Sequence, residues 1–205
     1  MTQESHNNVL WGVVGQKTTV RFLERALIQN QLAHAYILSG PPQVGKRTIA
    51  LALARAVNCE GAISPCGECT PCKRITAGRH ADVVVLEVQE QDGSKIIKID
   101  AIRDLLHQIS LKPYEGRCRV CIIRNAEFLN MASAGALLKT LEEPPAQTLL
   151  LLTSAAPHRI QETVLSRCQT LEISPMPLAE IASILESRWK RDPEDASSAD
   201  QRPSC

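Results

Sequence analysis

The residues best suited to chemistry lie at positions 40–48, which read GPPQVGKRT. An apolar run at residues 35–38 comes before them, and an alanine-rich run at residues 49–57 follows. A strand, a glycine loop and a helix in this order are the context that a phosphate-binding loop requires. The glycines let backbone N–H groups turn toward the phosphates, and the lysine reaches the terminal phosphates. The candidate nucleotide-binding residues are Gly40, Gly45, Lys46 and Thr48.

The positions that should hold magnesium carry other residues. The usual motif has Ser or Thr directly after the lysine, but Arg47 stands there. Thr48 is one residue later, about 100° around the helix, so we expect its hydroxyl to face elsewhere. Working P-loop ATPases close a later strand with Asp, often followed by Glu, and here Arg124 and Asn125 occupy those positions. We therefore expect ATP with Mg²⁺ to bind weakly or not at all, and we interpret Glu127 as a solvated or capping carboxylate.

Four cysteines form a second candidate site with the spacing C-x6-C-x2-C-x2-C. Two overlapping C-x-x-C pairs, with glycine and proline among the spacers, let four thiolates converge on one Zn²⁺. Free thiols or a redox pair are the alternatives, but a redox motif needs only two cysteines. The pattern predicts a structural zinc site, in which metal binding supplies on the order of 10 kcal/mol of folding free energy. The predicted ligands are Cys59, Cys66, Cys69 and Cys72.

Composition limits the class of protein. The 205 residues are 44% hydrophobic but only 3% aromatic, which favours an α/β domain with an aliphatic core and buried parallel strands. The net charge of +1 provides no global field that would attract nucleic acid or a membrane. No stretch reaches the roughly 18 apolar residues of a membrane span. The first residues lack the pattern of a signal peptide, so the sequence indicates a cytoplasmic protein with reduced thiols.

The pattern of apolar residues predicts which elements position these sites. Helical spacing of apolar residues occurs at residues 18–29, 49–57, 99–109, 132–143 and 178–189. Apolar runs that predict strands occur at residues 35–38, 83–88, 119–123, 149–152 and 170–173. The segment at residues 89–95 is polar and is expected to be a loop. Pro175 and Pro177 mark a domain boundary.

Six motifs follow one another in a recognisable order. They are Gly15-Gln16, the glycine loop, the four cysteines, LKPYEGR at residues 111–117, ALLKTLEEPP at residues 136–145 and LSRC at residues 165–168. Over residues 11–177 this set resembles the bacterial DNA polymerase III clamp-loader subunits of the AAA+ class. It is more similar to their delta-prime branch than to the gamma/tau motor. The motor keeps Thr after the loop lysine, and it keeps Asp-Glu at the strand end where this chain has Arg124 and Asn125.

The resemblance implies a fold, a set of partners and one further site residue. It implies a five-stranded parallel sheet flanked by helices, the zinc ligands named above and the start of a small helical lid. It also implies that Arg167 projects into a neighbouring subunit's ATP site, where such an arginine is worth about 10³–10⁵ in rate. A surface salt bridge is the alternative for Arg167. The implied partners are the gamma/tau motor and delta, with the sliding clamp and primed DNA reached through the assembly.

The resemblance also suggests how the chain is organised. We expect an AAA+ domain at residues 1–174 with the zinc module at 59–72, a first lid helix at 175–190 and a disordered tail at 191–205. The family continues into a collar domain, so the sequence suggests a truncated paralogue, a fragment or a frameshifted reading.

Three functions follow from these observations. The first is a non-hydrolysing clamp-loader subunit that assists a neighbour's ATP hydrolysis. The alternatives are an active gamma/tau-like ATPase, or a truncated paralogue that binds nucleotide without assembling. A zinc-dependent nucleic-acid module is disfavoured, because phosphate contacts supply most of such affinity and this chain is nearly neutral.

Overall fold

The computed structural model of the chain describes residues 9–91, 94–178 and 180–182. Within them, a five-stranded sheet is accompanied by two short antiparallel pairs. The strands are Val9–Leu10 (β1), Val13–Val14 (β2), Ala35–Ser39 (β3), Val83–Leu86 (β4), Gln89–Gln91 (β5), Ser94–Ile96 (β6), Arg119–Ile123 (β7), Thr148–Ser154 (β8) and Gln169–Glu172 (β9). The α-helices are Lys17–Ile28 (α1), Lys46–Asn58 (α2), Thr70–Thr76 (α3), Ile99–Ser110 (α4), Met131–Glu142 (α5) and Glu162–Leu165 (α6), with 3-10 turns at Ala126–Phe128 and Pro157–Arg159.

The large sheet is entirely parallel and has the strand order β4-β7-β8-β3-β9. Every residue of β3, β7 and β8 is buried, because these strands have neighbours on both sides and helices over both faces. Strands in this position are continuous apolar runs, which is how they were recognised in the sequence. The predicted five-stranded parallel sheet flanked by helices is therefore confirmed.

Two hydrophobic layers cover the faces of this sheet. Successive residues of β3 point to opposite faces, so Tyr36 and Leu38 pack with α1, α2 and α3, while Ala35 and Ile37 pack with α4, α5 and α6. Leucine, isoleucine, valine and alanine fill most of both layers. The core is aliphatic because the chain contains few aromatic residues.

One edge of the sheet differs from the prediction. Residues 83–88 were expected to form a buried strand, but β4 ends at Leu86 and all four of its residues are only half-buried. The reason is its place at the edge of the sheet, since among the described residues β4 pairs with β7 and no strand lies on its other side. An apolar run does not distinguish a central strand from an edge strand.

The segment that was expected to be a polar loop also has regular structure. β5 and β6 form an antiparallel pair in which Gln89 faces Ile96 and Gln91 faces Ser94. The prediction of a loop at residues 89–95 is therefore wrong. No strand was predicted there because the segment lacks the alternation of apolar and polar residues that indicates a strand.

The unit that carries the sheet ends at Ser174, and the residues from Pro175 onward belong to a second unit. The predicted lid helix at residues 175–190 falls largely outside the described residues, and the predicted tail at 191–205 falls entirely outside them. Among the helices that are described, none combines the length and the apolar character needed to cross a membrane.

Candidate functional site

The glycine loop joins the end of β3 to the start of α2, as the sequence predicts. Gly40 has a φ of 154°, and a Cβ at this position would lie 2.1 Å from the carbonyl oxygen of Ile173. No other residue fits so close an approach, so glycine is required there. Gly45 caps α2 in the left-handed region, with a φ of 96°. Lys46 Nζ donates hydrogen bonds to the carbonyl oxygens of Gly40 and Pro41, each at 2.6 Å.

A cavity of about 510 Å³ lies beside this loop, where the carboxyl ends of β3, β7 and β8 meet. This edge of a parallel sheet is where α/β proteins bind their ligands. Thr48 lines the cavity together with Lys46, whereas its rotation around the helix predicts that it faces elsewhere. The other lining residues are Pro42, Gln43, Gly45, Arg47, Lys95, Arg124, Asn125, Glu127, Phe128, Thr153 and Ala155.

The residues at the end of β7 offer the cavity a cation and an amide. Arg124 forms an ion pair with Glu87, and its side chain is 33% exposed. Asn125 adopts a left-handed conformation, and its backbone N–H donates to Thr153 Oγ1 at 3.2 Å. At the two positions where a magnesium-dependent ATPase carries carboxylates, this chain therefore presents a guanidinium group and an amide.

Of the two expectations for Glu127, a solvated or a capping carboxylate, the structure excludes the solvated one. Its residue is only 7% exposed, and it lines the cavity. Its Oε1 accepts hydrogen bonds from the backbone N–H of Ala155 at 3.2 Å and from Asn125 Nδ2 at 3.5 Å. Its Oε2 is buried and has no hydrogen-bond partner among the described residues. The left-handed Asn125 and the 3-10 turn after it redirect the chain, so that a residue four positions past the end of β7 lines the cavity.

Glu127 also acts electrostatically on the loop lysine. Burial lowers the pKa of Lys46, because a charged ammonium loses hydration in the loop, and the nearby carboxylate of Glu127 opposes that shift. The cavity thus contains one carboxylate against four cationic side chains. Such an arrangement suits an anionic ligand better than a free divalent cation.

The four predicted zinc ligands converge. Their Sγ atoms all lie within 4.8 Å of one another, and the Cys59 and Cys69 sulfurs are 4.0 Å apart. A tetrahedral Zn²⁺ with Zn–S bonds of about 2.3 Å requires sulfurs about 3.8 Å apart. The residues therefore fit one zinc ion. The cluster extends from the C-cap of α2 to the first turn of α3 and consists of Cys59, Cys66, Cys69 and Cys72.

Backbone groups around the cysteines favour the thiolate form. Gly61 N and Cys66 N each donate to Cys59 Sγ at 3.3 Å, and Cys69 N donates to Cys66 Sγ at the same distance. Several hydrogen bonds, first among them the one from Cys69 N, lower the pKa of Cys66 to about 6, whereas burial raises the pKa of Cys72 to about 12. A Cβ on Gly61 would lie 2.8 Å from Cys66 Cβ, so a glycine keeps this approach open.

Arg167 lies two residues after the end of α6 and forms an ion pair on the surface of this single chain. Its Nε and Nη2 donate to Glu142 Oε1 at 3.0 and 2.6 Å, and its Nη1 donates to the carbonyl oxygen of Thr163 at 2.9 Å. The arginine side chain is 34% exposed, so another molecule can reach it. This is the surface salt bridge that the sequence leaves open as the alternative for Arg167. Its partner, Glu142 in the ALLKTLEEPP motif, was not predicted.

Sequence reasoning also missed a buried carboxylate that orders the LKPYEGR turn. Asp82 is fully buried, and it accepts hydrogen bonds from the backbone N–H groups of Tyr114, Glu115 and Gly116 at 2.7–2.8 Å. Arg119 Nη2 also donates to it, at 3.0 Å. The only signal in the sequence is an acidic residue directly before the apolar run of β4, and such a residue does not identify partners more than 30 positions away.

A glycine loop at the carboxyl edge of a parallel five-stranded sheet, with helices on both faces, defines a P-loop fold. Solved structures share this fold. A DNA polymerase III gamma subunit-related protein from Thermotoga maritima matches with a TM-score of 0.60 at 21% identity, over 83% of this chain and 52% of that one. The RuvB Holliday junction branch migration motor from Thermotoga maritima matches with a TM-score of 0.56 at 18% identity, over 87% of this chain and 52% of that one.

The family is defined by sequence. A family model described as "DNA polymerase III, delta subunit" matches residues 15–177. The chain is 40% identical over 162 residues to DNA polymerase III subunit tau of Bacillus subtilis, and 42% identical over 140 residues to subunit delta' of Pseudomonas aeruginosa. These alignments cover 78% and 67% of this chain, but only 28% and 42% of the two relatives. The chain belongs to the clamp-loader family of DNA polymerase III.

Proposed function

We propose that this chain is a non-hydrolysing, delta-prime-like stator of the DNA polymerase III clamp loader. The single observation that carries the proposal is the composition of the cavity at the glycine loop. Arg47, Arg124 and Asn125 line it at the positions where a magnesium-dependent ATPase has its hydroxyl and carboxylate residues. Without the metal, the charge on the β- and γ-phosphates is not neutralised in the manner that hydrolysis requires. In this proposal the chain supports its neighbours and performs no hydrolysis itself.

In this proposal the stator takes part in catalysis by placing an arginine side chain in the ATP site of a neighbouring subunit. Arg167 follows a short helix, is partly exposed, and belongs to the LSRC motif that resembles the family's interface arginine. Its present partner, Glu142, is an exposed carboxylate that a more highly charged triphosphate can replace. The proposed partners are gamma/tau and delta, with the sliding clamp and primed DNA reached through the assembly, in the cytoplasm. The cysteine cluster is proposed to hold a structural Zn²⁺.

An active gamma/tau-like ATPase is the second candidate, and two observations favour it. Relatives named tau are as similar to the chain as relatives named delta', and the buried Glu127 faces the cavity. ATP turnover by the purified chain with Mg²⁺ decides between the two. We expect no turnover above that of Lys46→Ala; turnover that this substitution abolishes would establish the ATPase instead.

The role of Arg167 requires the assembled loader. Arg167→Ala should slow hydrolysis at the neighbouring site by about 10³-fold or more, because the arginine stabilises charge on the transferring phosphoryl group. Arg103→Ala is the matched control, since Arg103 is an exposed arginine on α4 whose nearest partner is Asp100. Equal turnover of the Arg167 variant and the control would refute the trans role. Failure of the chain to co-purify with gamma/tau and delta would instead favour a paralogue that binds nucleotide without assembling.

A further inference from the structure

The two edges of the five-stranded sheet differ in chemistry. β9 forms one edge, and three of its four residues are polar and exposed. β4 forms the other edge, and it consists of three valines and a leucine. Charged side chains and proline commonly protect an edge strand from pairing with another chain. β9 contains Glu172, whereas β4 contains neither a charged residue nor a proline.

Half of the backbone polar groups of β4 face away from the sheet. The carbonyl oxygens of Asp82 and Leu86 accept hydrogen bonds from the backbone of β7 and of the residue that follows it, at 2.8 and 2.9 Å. Alternate residues of a parallel strand direct their backbone groups to opposite sides. The carbonyl of Val83 and both backbone polar groups of Val85 therefore point outward, where no strand lies among the described residues. Such groups are a template for a further strand.

A groove of about 230 Å³ lies beside the same edge, and we name it the edge groove. Val83 and Val85 line it from β4, Leu51 from α2 and Ile75 from α3. The other lining residues are Arg47, Thr76, Gly78, His80 and Glu87. Strands of a sheet lie about 4.8 Å apart and rise about 3.3 Å per residue. A strand added to β4 would therefore place two or so alternate side chains along the edge groove.

One end of the edge groove has a cation without a counter-charge. Arg47 is exposed, and it forms no ion pair within the part of the chain that the structure describes. Glu87 lies at the same end, after the last residue of β4, but it already pairs with Arg124. A carboxylate on an incoming segment would meet Arg47 there, and a charge pair of this kind fixes the direction and register of the segment.

We propose that the edge of β4 binds an extended segment of a partner protein, which adds to the sheet as a further strand. Main-chain hydrogen bonds to Val83 and Val85 hold the segment, aliphatic side chains at alternate positions fill the edge groove, and a carboxylate pairs with Arg47. The chain's own segments at residues 1–8 and 191–205 have no alternation of aliphatic residues, so they do not fit this pattern. The inference goes beyond the proposed stator, in which this edge has no role.

Fluorescence anisotropy of the full chain with labelled synthetic peptides tests the proposal. Both peptides alternate valine with threonine, and they differ only in having an aspartate at the amino end or at the carboxyl end. The aspartate meets Arg47 in the first peptide if the added strand is antiparallel to β4, and in the second if it is parallel. We expect one peptide to bind about threefold or more tightly than the other. Absence of binding by both peptides would overturn the proposal.

Two methylated peptides separate main-chain pairing from simple filling of the groove. One carries N-methyl groups on its valines and the other on its threonines, so that each loses the N–H groups along one side of the strand and keeps its side chains. The peptide whose methyl groups face β4 should bind about tenfold or more weakly, and the other should bind like the unmethylated peptide. Unchanged affinity of both methylated peptides would show that no strand is added.

Variants of the chain locate the bound peptide. Val85→Pro removes an outward N–H and keeps the ladder with β7, since this N–H does not face β7. Leu51→Glu places a carboxylate in the edge groove and leaves the backbone of β4 unchanged. Each should weaken binding about tenfold or more, and far-ultraviolet circular dichroism shows whether the variant is folded. Unchanged affinity in both folded variants would place the peptide elsewhere and would overturn the proposal.

The charge pair has its own matched control. Arg47→Ala should abolish the preference for one position of the aspartate, whereas Arg103→Ala makes the same charge change on α4 and should keep it. A preference that survives in Arg47→Ala would refute the pairing of Arg47 with the segment.

Two other occupants of the edge would give different results. If the unmodified chain is a dimer in sedimentation equilibrium and Val85→Pro is a monomer, a second copy covers β4 and the partner segment is refuted. If deletion of residues 191–205 is required for peptide binding, the chain's own tail covers β4 instead. Neither result alters the test of the stator, which depends on ATP turnover and on Arg167 in the assembled loader.

Discussion

Asp82 is the residue on which the local order of the LKPYEGR turn depends. It receives three backbone N–H groups and one arginine, and it is fully buried. Asp82→Asn replaces an acceptor-only group with an amide whose N–H₂ faces other donors, and it leaves the guanidinium of Arg119 buried without its counter-charge. We expect the free energy of unfolding to fall by about 3–5 kcal/mol, measured by urea denaturation.

Asp100→Asn is the matched control, because Asp100 is 80% exposed and pairs only weakly with Arg103. Its effect should stay within about 0.5 kcal/mol. Equal effects of the two substitutions would show that the buried hydrogen bonds of Asp82 contribute nothing to stability.

The same carboxylate makes stability depend on pH. Burial alone would raise the pKa of Asp82, but the N–H groups of Tyr114, Glu115 and Gly116 and the charge of Arg119 hold it below its usual value. A depressed folded-state pKa stabilises the fold above the unfolded pKa of about 3.9, and that contribution is lost as pH falls through the lower, folded value. The difference in stability between the unmodified chain and Asp82→Asn should therefore shrink below about pH 4.

The strength of the ion pair between Arg167 and Glu142 determines how easily the arginine side chain can turn away from Glu142 toward a neighbouring subunit. Both side chains are substantially exposed, at 34% and 52%. A double-mutant cycle of Arg167→Ala and Glu142→Ala, followed by urea denaturation, should give a coupling energy of about 0.2–1 kcal/mol. Such a value means that a neighbouring triphosphate can draw the arginine away at small cost. A coupling well above about 2 kcal/mol would make the pair a structural clamp and would argue against a role in trans.

Among the elements, the zinc module at residues 59–72 is the one whose order should depend on a metal. The four cysteines extend from the C-cap of α2 to the first turn of α3, whereas the strands of the sheet pack through Ile37, Leu151 and other aliphatic residues that do not contact a metal. Removal of zinc should disorder residues 59–72 and leave the sheet folded. Hydrogen exchange should then increase in this segment and remain slow in β3, β7 and β8. Unfolding of the whole chain on zinc removal would show that the cysteine module supports the core.

The elements also show where sequence patterns were informative. The central strands and their helices were predictable because burial on both faces demands apolar runs and helical periodicity, and the four cysteines because their spacing leaves few alternatives. The antiparallel pair of β5 and β6 was not predictable, since its polar residues have no period. Glu127 was misplaced for a related reason. A left-handed Asn125 changes the chain direction, and an asparagine permits that conformation without requiring it.

At the scale of the whole molecule, the distribution of charge matters more than its total. The net charge is +1, yet Lys46, Arg47, Lys95 and Arg124 all line one cavity. A nearly neutral surface gives long polyanions little to bind, while a short chain of phosphates meets several cations at once. The molecule should therefore discriminate between a phosphate chain and a nucleic-acid strand.

This discrimination is measurable with a fluorescently labelled single-stranded oligonucleotide and fluorescence anisotropy. The isolated chain should show no binding at physiological salt, because phosphate contacts supply most of such affinity and this chain is nearly neutral. Residual binding at low salt should be displaced by tripolyphosphate, since the cations that would hold the strand are those of the cavity. Tight binding that tripolyphosphate does not displace would require a separate strand-binding surface. In that case the chain would contact DNA directly, and its place in a clamp loader would not be that of a stator alone.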